Sequence, residues 1–569
     1  MASPHHFRYD YLDYETLSAA NSLSFGYPAV PDYDMANTNY LISFGADFLE
    51  TWISPVRYGV SFGQFRQGRP GKRGRFVQIE PRLSMTGANA DEWVPIRPGR
   101  EGLLALGMAR VILADSPGLR KSEAKPWEEA LERYDLQFVS QATDVPAETI
   151  SRLAREFIEN RPSLAIAGGS AAGHTNGVAN LVAINGLNLI AGSVGTPGGI
   201  LFGPTPPMLK QAKASKDNSG FSGLARAAGL LEAGQVDTLF LHRTNPAFSA
   251  PGGLKFADKL KKASFIVSYS SFLDESTMLA DLILPDHIYL ERWGDDLAPA
   301  VTTKVAGLIQ PAVEPFYNTR PTADLLVALA KIMGGKMSAA LPWGSFLDYL
   351  KSSWQETYVK EGNRPEDFDL AWSDMLKRGG QWTENKVQAQ TLKAADTISS
   401  QLTYKEPHFA DDEKEYPFYL HLYPTLALSE GRGANQPWMQ ELPDPMTGVV
   451  WGSWVEISPA AADKLDITEG DLVWVESGRG KIKLPAHIYP AIRPDLIAIP
   501  LGQGHTYYGR YAKDRGVNPM AIVADISQEQ SGALAWGATR VKVYKAKGKG
   551  RLVSLAGTPR EIAGIEIVR

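Results

Sequence analysis

Cysteine is missing altogether from the 569 residues. A chain without thiols forms no disulfide, no Cys-ligated zinc site, no iron–sulfur cluster and no thiol nucleophile. If it works in redox chemistry, iron–sulfur and haem centres have to sit in partner subunits. Also missing is any apolar run of the ~18 residues that a membrane-spanning helix needs. The opening stretch Met1 to Leu17 carries His5, His6, Arg8, Asp10 and Asp13. It reads as neither a signal peptide nor a transit peptide, so an export signal would have to come from a partner or an upstream segment. A strong charge imbalance is absent as well: 58 basic against 63 acidic residues give a net charge of −5. Nothing in that balance points to a nucleic-acid footprint or a polybasic membrane patch.

What is present is the composition of an ordinary globular protein, with 44% hydrophobic and 21% charged residues. Short apolar strands alternate with helical spacing over the first 345 residues. Tyr40–Phe44, Arg75–Ile79 and Leu164–Ala167 read as strands, and Gly102–Leu113, Glu148–Glu159 and Asn180–Ala191 as helices, the last closed by Gly192. After a Pro- and Lys-rich stretch from Gly203 to Ser219, Thr238–Leu241, Phe265–Ser268 and Asp281–Leu284 read as strands. Helices at Gly223–Ala233, Lys255–Lys261 and Thr322–Ile332 fall around them. Such alternation predicts parallel sheets covered by helices. From Tyr416 onward short strands and turns predict a β-rich barrel. The expected architecture is α/β: two parallel-sheet domains, 1–200 and 201–345, flanking a cleft, a helical or irregular connection over 346–410, and a C-terminal barrel over 411–569.

In open α/β sheets, ligands bind beyond the carboxyl ends of the strands. The loops there hold Gly45 and Asp47, then Glu80 and Arg82, then Gly99 to Glu101, then Gly168, Gly169, Gly173, His174 and Asn176, and finally Asn245. A carboxylate such as Glu80 accepts bonds from a ribose or a guanine edge. Glycines at 168, 169 and 173 let the backbone approach a diphosphate. Each loop alone is equally compatible with a plain turn.

In order, these loops resemble the molybdopterin oxidoreductases of the dimethyl-sulfoxide-reductase superfamily. Glu80 to Glu101 is similar to that family's pterin-dinucleotide segment. His174-Thr-Asn-Gly177, Gly192 to Gly199, Glu275 to Pro285 and Ile457 to Asp471 resemble its later signatures. The resemblance implies cofactor contacts from Gly45, Asp47, Glu80, Arg82, Gly99, Glu101, Gly168, Gly169, His174, Asn176, Asn245, Asn435 and His505. The family's N-terminal four-cysteine iron–sulfur domain is absent here. Its metal-ligand position falls near Asp13, which is otherwise an ordinary carboxylate in a polar-aromatic stretch. Asp47 stands where Asn is common, Glu80 replaces Asp, and Arg100 replaces a small residue, so its bulk is expected in the nucleotide pocket.

A narrower resemblance is to the molybdopterin-like subunit of alternative complex III and of the menaquinone reductase complex. Phe44 to Val56, Pro285 to Asp295, Gly431 to Pro445 and Gly502 to Tyr511 carry it. It implies a subunit of a membrane-associated, quinone-linked respiratory complex, without its own metal centre and without a cofactor. Its partners would be an iron–sulfur subunit, a multihaem cytochrome c and integral membrane quinone-binding subunits. It would sit on the periplasmic face, attached through those partners. The alternative is an active enzyme with bis-molybdopterin guanine dinucleotide and molybdenum or tungsten, Asp13 as metal ligand, and a separate iron–sulfur subunit. A third reading is a nucleotide-binding module with no redox role. Among isolated residues, Asp281 and Asp471 read as loop-fixing acceptors, and Glu291 to Asp296 as a solvated or subunit-facing charge network.

Overall fold

A computed structural model describes residues 5–554 except 11, 69, 116–128, 204–218, 298–303 and 384–401. Most of the Pro- and Lys-rich stretch and part of the expected 346–410 connection lie outside the described residues.

Tyr40–Phe44 (β1) is apolar without alternation, and all five of its residues are buried. A strand with no polar face needs cover on both sides, which a parallel sheet between helices provides. Arg75–Ile79 (β2) pairs with it in parallel along one edge, with Glu92–Val94 (β3) beyond, and Ser163–Ala167 (β4) pairs along the other. Helices Glu15–Phe25 (α1), Glu101–Asp115 (α2), Ala147–Glu159 (α3) and Gly177–Ala191 (α4) build the layers around this sheet. The last is apolar almost all round and buried along most of its length, because α1 and α2 pack against it. It ends at Gly192, whose left-handed backbone lets its N–H reach the carbonyls of Asn188 and Leu189.

Thr238–Leu241 (β5), Phe265–Ser268 (β6) and Leu282–Ile283 (β7) form a second parallel sheet. The Asp281 carboxylate accepts the Ile266 N–H at 2.7 Å, the loop-fixing role its position suggests. Gly294–Leu297 (β8), Lys304–Ile309 (β9) and Gly380–Thr383 (β10) make a small antiparallel sheet. Residues 346–383, expected as a polar connection, fold against it as helices Phe346–Lys360 (α5) and Phe368–Arg378 (α6). Their aromatic stripe supplies a separate core in which Trp354, Phe368, Trp372 and Met375 pack on Ala306 and Leu308. The charge cluster from Glu291 to Asp296 is thereby drawn into structure. Asp295 is a strand residue whose carboxylate accepts the Trp354 indole N–H at 3.3 Å.

Phe418–Tyr423 (β11), Val455–Ile457 (β12), Asp471–Ser477 (β13), Gly480–Ile488 (β14), Leu496–Pro500 (β15) and Arg540–Lys549 (β16) close into a barrel. Their order is β11-β15-β12-β14-β13-β16. Burial alternates residue by residue along β13, the period-two pattern of a strand with one face inside. Closure leaves no unpaired edge.

The barrel docks on the segment just after β2. Leu83 donates its N–H to the Ala491 carbonyl at 2.9 Å, Arg493 donates to Pro81, and the Tyr489 hydroxyl donates to the Leu83 carbonyl at 2.8 Å. At the centre Arg82, 4% exposed, forks onto Glu456, which is fully buried. The Arg82 Nη2 lies 2.8 Å from Glu456 Oε1, and its Nε meets the other oxygen. Tyr423 Oη and Trp454 Nε1 also donate to Oε1, and the guanidinium lies 3.9 Å over the Tyr423 ring. Removing one partner of a buried, hydrogen-bonded pair leaves an uncompensated charge and costs roughly 3–5 kcal/mol, whereas replacing both by apolar groups is often neutral. Arg82→Met is therefore expected to lower the thermal unfolding transition markedly, and Arg82→Met with Glu456→Leu to recover most of the loss. Equal losses in the single and double variants, measured by calorimetry, would show that the pair does not hold this seam.

Candidate functional site

The carboxyl ends of the two parallel sheets face the barrel across two crevices. In the first, β1 runs into Gly45 and β4 into Gly168. Gly45 has a left-handed backbone (φ 67°), and a Cβ there would strike the Ser170 hydroxyl and come 2.9 Å from the Gly168 carbonyl. A Cβ on Gly168 would strike the Trp52 indole, and one on Gly169 the Gly45 carbonyl. These glycines let protein approach protein.

Around them stand buried acids. Glu80 accepts Gln78 Nε2 at 3.0 Å, Ser84 N at 2.7 Å and Ser84 Oγ at 3.0 Å. Burial, and then the charge of Asp47, holds its carboxyl well above the usual range. Glu50, which accepts the Met85 N–H at 3.1 Å, is raised in the same way, and burial raises Asp47. Asp47 Oδ1 is buried without a hydrogen-bond partner. Glu101 opens α2 fully buried, both its oxygens lack partners of good geometry, and burial pushes it up to about 7. Asp13 is half-buried, and its Oδ1 accepts the Glu15 N–H at 3.0 Å at the start of α1. Burial first, and then Glu15, push it up to about 8.

The chain itself lies over the remaining loops. The Pro407 ring sits 2.9 Å from where a Gly99 Cβ would stand. Asn176 Nδ2 donates to the carbonyls of Gly99 at 2.9 Å and Lys405 at 2.7 Å. Arg100, expected to intrude on the nucleotide, instead pairs with Glu406 and stacks over Tyr404. His174 is buried against Phe409, and burial with the nearby Arg100 brings its imidazole down to about 4. Beside Asp13 there is a cavity of about 120 Å³, and beside Glu80 one of about 10 Å³.

The second crevice is open, with a cavity of about 650 Å³. Arg243, Asn245, Ser270 and Asp286 reach it from the sheet side, Arg292 from the following loop, and Arg432 and His505 from the barrel side. Asn245 donates to Glu275 at 2.7 Å and accepts from the Ser276 N–H and hydroxyl at 3.0 and 2.7 Å. His505 is buried, stacked on Phe248 at 3.7 Å, with Nδ1 3.2 Å from Glu275. Burial works against the Glu275 charge, but His505, Asn245 and backbone N–H groups bring that carboxyl down to about 2. The Arg292 Nε is buried with no partner, and burial, then the positive charge of Arg243, lowers this guanidinium. Asn435 does not line the cavity. Sequence reasoning placed Asn245 and His505 here but missed Arg243, Glu275, Arg292 and Arg432. The rule that ligands gather at strand ends would have singled out Arg243, two residues after β5.

Among the described residues, no three His, Asp or Glu side chains converge as a metal-holding group.

The carboxyl shifts have a signed consequence. Asp13, Glu50, Glu80 and Glu101 keep protons in the folded chain after the unfolded chain has lost them. The folded state then binds more protons from the ordinary carboxylate range up to about pH 8, so stability falls as pH rises through that window and levels off above it. Neutral buried His174 and His421 act in the opposite sense, but only below their usual 6.5. The thermal transition is therefore expected to be higher at pH 6.5 than at pH 8.5, and Glu80→Gln to shrink the difference. A transition that stays level or rises between these pH values would refute it.

The molybdopterin oxidoreductase family model matches residues 3–332, and the molydopterin dinucleotide binding domain model matches residues 426–535. The menaquinone reductase molybdopterin-binding-like subunit of Nitratidesulfovibrio vulgaris is 28% identical over 526 residues, spanning 90% of this chain and 72% of that one. The arsenate respiratory reductase molybdopterin-containing subunit of Shewanella sp. is 24% identical, spanning 90% of this chain and 75% of that one. The solved acetylene hydratase from Pelobacter acetylenicus superposes with a TM-score of 0.74 at 18% identity, over 94% of this chain and 81% of that one.

These matches overturn the expectation that the chain carries no cofactor, since both family models point to a molybdopterin group. The second crevice fits such a group: its volume lies in the range of ligand sites, and its guanidiniums include an unpartnered buried nitrogen suited to a diphosphate. The first crevice does not fit it, because its glycine cradle is filled by Ser170, Trp52 and Gly45, and its lid by Pro407. With a family model matched over more than half its length and an architecture to go with it, the chain belongs to the molybdopterin oxidoreductase family.

Proposed function

We propose that this chain is a subunit of a membrane-associated, quinone-linked electron-transfer complex. It would hold one molybdopterin-type dinucleotide in the second crevice and lack a metal centre of its own. The observation that carries this reading is the first crevice, closed by Arg82 on Glu456 and by residues 404–409 over Gly99 and His174. A metal held between a pair of pterins needs both crevices open. The resemblance to the menaquinone reductase subunit extends over 90% of the chain and supports the quinone link. The absence of cysteine supports an iron–sulfur partner, and the resemblance supports a multihaem cytochrome c and integral membrane subunits as further partners on the periplasmic face.

In the second crevice Arg243, Arg292 and Arg432 would take the diphosphate, and Asp286 and Ser270 would accept and donate at its hydroxyl or base edges. The Asn245–Glu275–His505 chain fixes the loops that carry them. When bound, the pterin supplies the redox-active ring system of the family. This chain's own residues bind it, orient it and neutralise its charge.

One observation favours the second reading, an active molybdenum or tungsten enzyme with a separate iron–sulfur subunit. Asp13 lines the 120 Å³ cavity, and the family resemblance puts the metal-ligand position near it. Pterin and metal analysis of the complex purified from membranes separates the two. One pterin per chain with substoichiometric molybdenum and tungsten is the expected result, with Arg292→Ala lowering the pterin content several-fold. Two pterins per chain with stoichiometric metal would overturn the proposal.

A further inference from the structure

The 120 Å³ cavity of the first crevice is too small for a pterin dinucleotide, yet it is shaped for something. Leu12, Leu17, Leu422, Leu534 and Trp536 line it, together with Trp52 and Tyr423. A cavity of roughly 150 Å³ with apolar walls accommodates a single benzene ring, so this one matches one ring in size. Unlike such a dry cavity, it contains a buried acceptor in want of a partner, Asp47 Oδ1. An unpaired buried oxygen is costly and is relieved by a ligand that donates to it. Other polar groups in the wall are Asp13, Thr16, Thr51, Ser170 and His421, the last kept neutral at ordinary pH by burial. A carboxylate ligand is disfavoured because it would set its own oxygens, which carry no proton to donate, against the unpaired Asp47 oxygen.

We infer that this cavity binds a neutral single-ring aromatic carrying a hydroxyl, the chemistry shared by phenols and hydroquinones, with the ring between the Trp52 and Trp536 walls and the hydroxyl donated to Asp47 Oδ1. The ring replaces lost van der Waals contact, and the donor satisfies the carboxylate. Nothing in this requires a metal or pterin in the first crevice, so the inference stands or falls separately from the pterin count, which reads the second crevice.

The test uses the purified complex, or the full chain with its pterin, and measures binding of phenol, hydroquinone, benzene and benzoate by calorimetry and ligand-observed NMR. Phenol and hydroquinone are expected to bind with one site per chain, about tenfold or more tighter than benzene, as a hydrogen bond to a charged acceptor supplies. Benzoate is expected not to bind. Asp47→Ala should bring phenol down to the affinity of benzene while leaving benzene unchanged. Thr51→Phe, which fills the cavity from its wall, should abolish both. Each variant is first checked for an unshifted thermal transition and unchanged pterin content; if Thr51→Phe fails that check, Leu534→Trp takes its place. Phenol binding no tighter than benzene, or binding that survives a folded cavity-filling variant, overturns the inference.

Discussion

A guanidinium and a carboxylate, each almost without solvent, meet where the barrel touches the first sheet. Arg82 comes from the loop after β2 and Glu456 from β12, more than three hundred residues apart. Neither charge is tolerable there alone, because burial without a partner costs several kcal/mol. Together, and with Tyr423 and Trp454 donating to the same oxygen, they are satisfied. The pair fixes the seam, and the seam determines how much room is left between sheet and barrel. The closed state of the first crevice follows from it.

Once that seam is shut, the rest of the crevice must be compatible with dryness. Asp47, Glu50 and Glu80 line a volume with space for about one water. Burial raises each of these carboxyls, and the charge of Asp47 raises Glu50 and Glu80 further, so that these two keep their protons to unusually high pH. The glycines of this crevice serve close packing instead of ligand approach. The segment around Pro407 then covers Gly99 and His174, with Arg100 anchored outward on Glu406. Each feature looks like part of a nucleotide cradle when read one at a time, and together they fill it.

The second crevice follows the opposite logic. Here the carboxylate is fully ionised: Glu275 is clamped by Asn245 and His505 and acts as a structural tie between sheet and barrel. One guanidinium nitrogen, Arg292 Nε, is left without a partner, while Arg243 pairs with Asp286 and Arg432 with Glu430 and Asp10. Arg292 has a neighbour of like charge and an unpaired nitrogen, and the space in front of it is large. A site with three guanidiniums, an unpartnered donor and open volume has room for an anionic ligand in a way the first does not. The two halves of one architecture have thus diverged electrostatically while keeping the same strand-end geometry.

Much of this was legible in the sequence. The unbroken apolar run of Tyr40–Phe44 reports a parallel strand buried on both faces. The alternation of Asp471–Ser477 reports a barrel wall, and Gly192 reports a helix end, because backbone periodicity and chirality act locally. The order of the loops identifies the family, and the lack of cysteine excludes resident iron–sulfur clusters without any coordinates. The packed helices of residues 346–383 were not legible, since polar amphipathic segments look alike whether they cover a sheet or merely connect. Nor was the fate of Gly168, Glu80 or Arg100 legible, since the side chains that surround them, Trp52, Ser84 and Glu406, come from other segments. Local pattern determined which elements form and which family they belong to. Only the tertiary structure decided which crevice is open, because filling a cavity and pairing a charge depend on residues that the chain brings together over long distances.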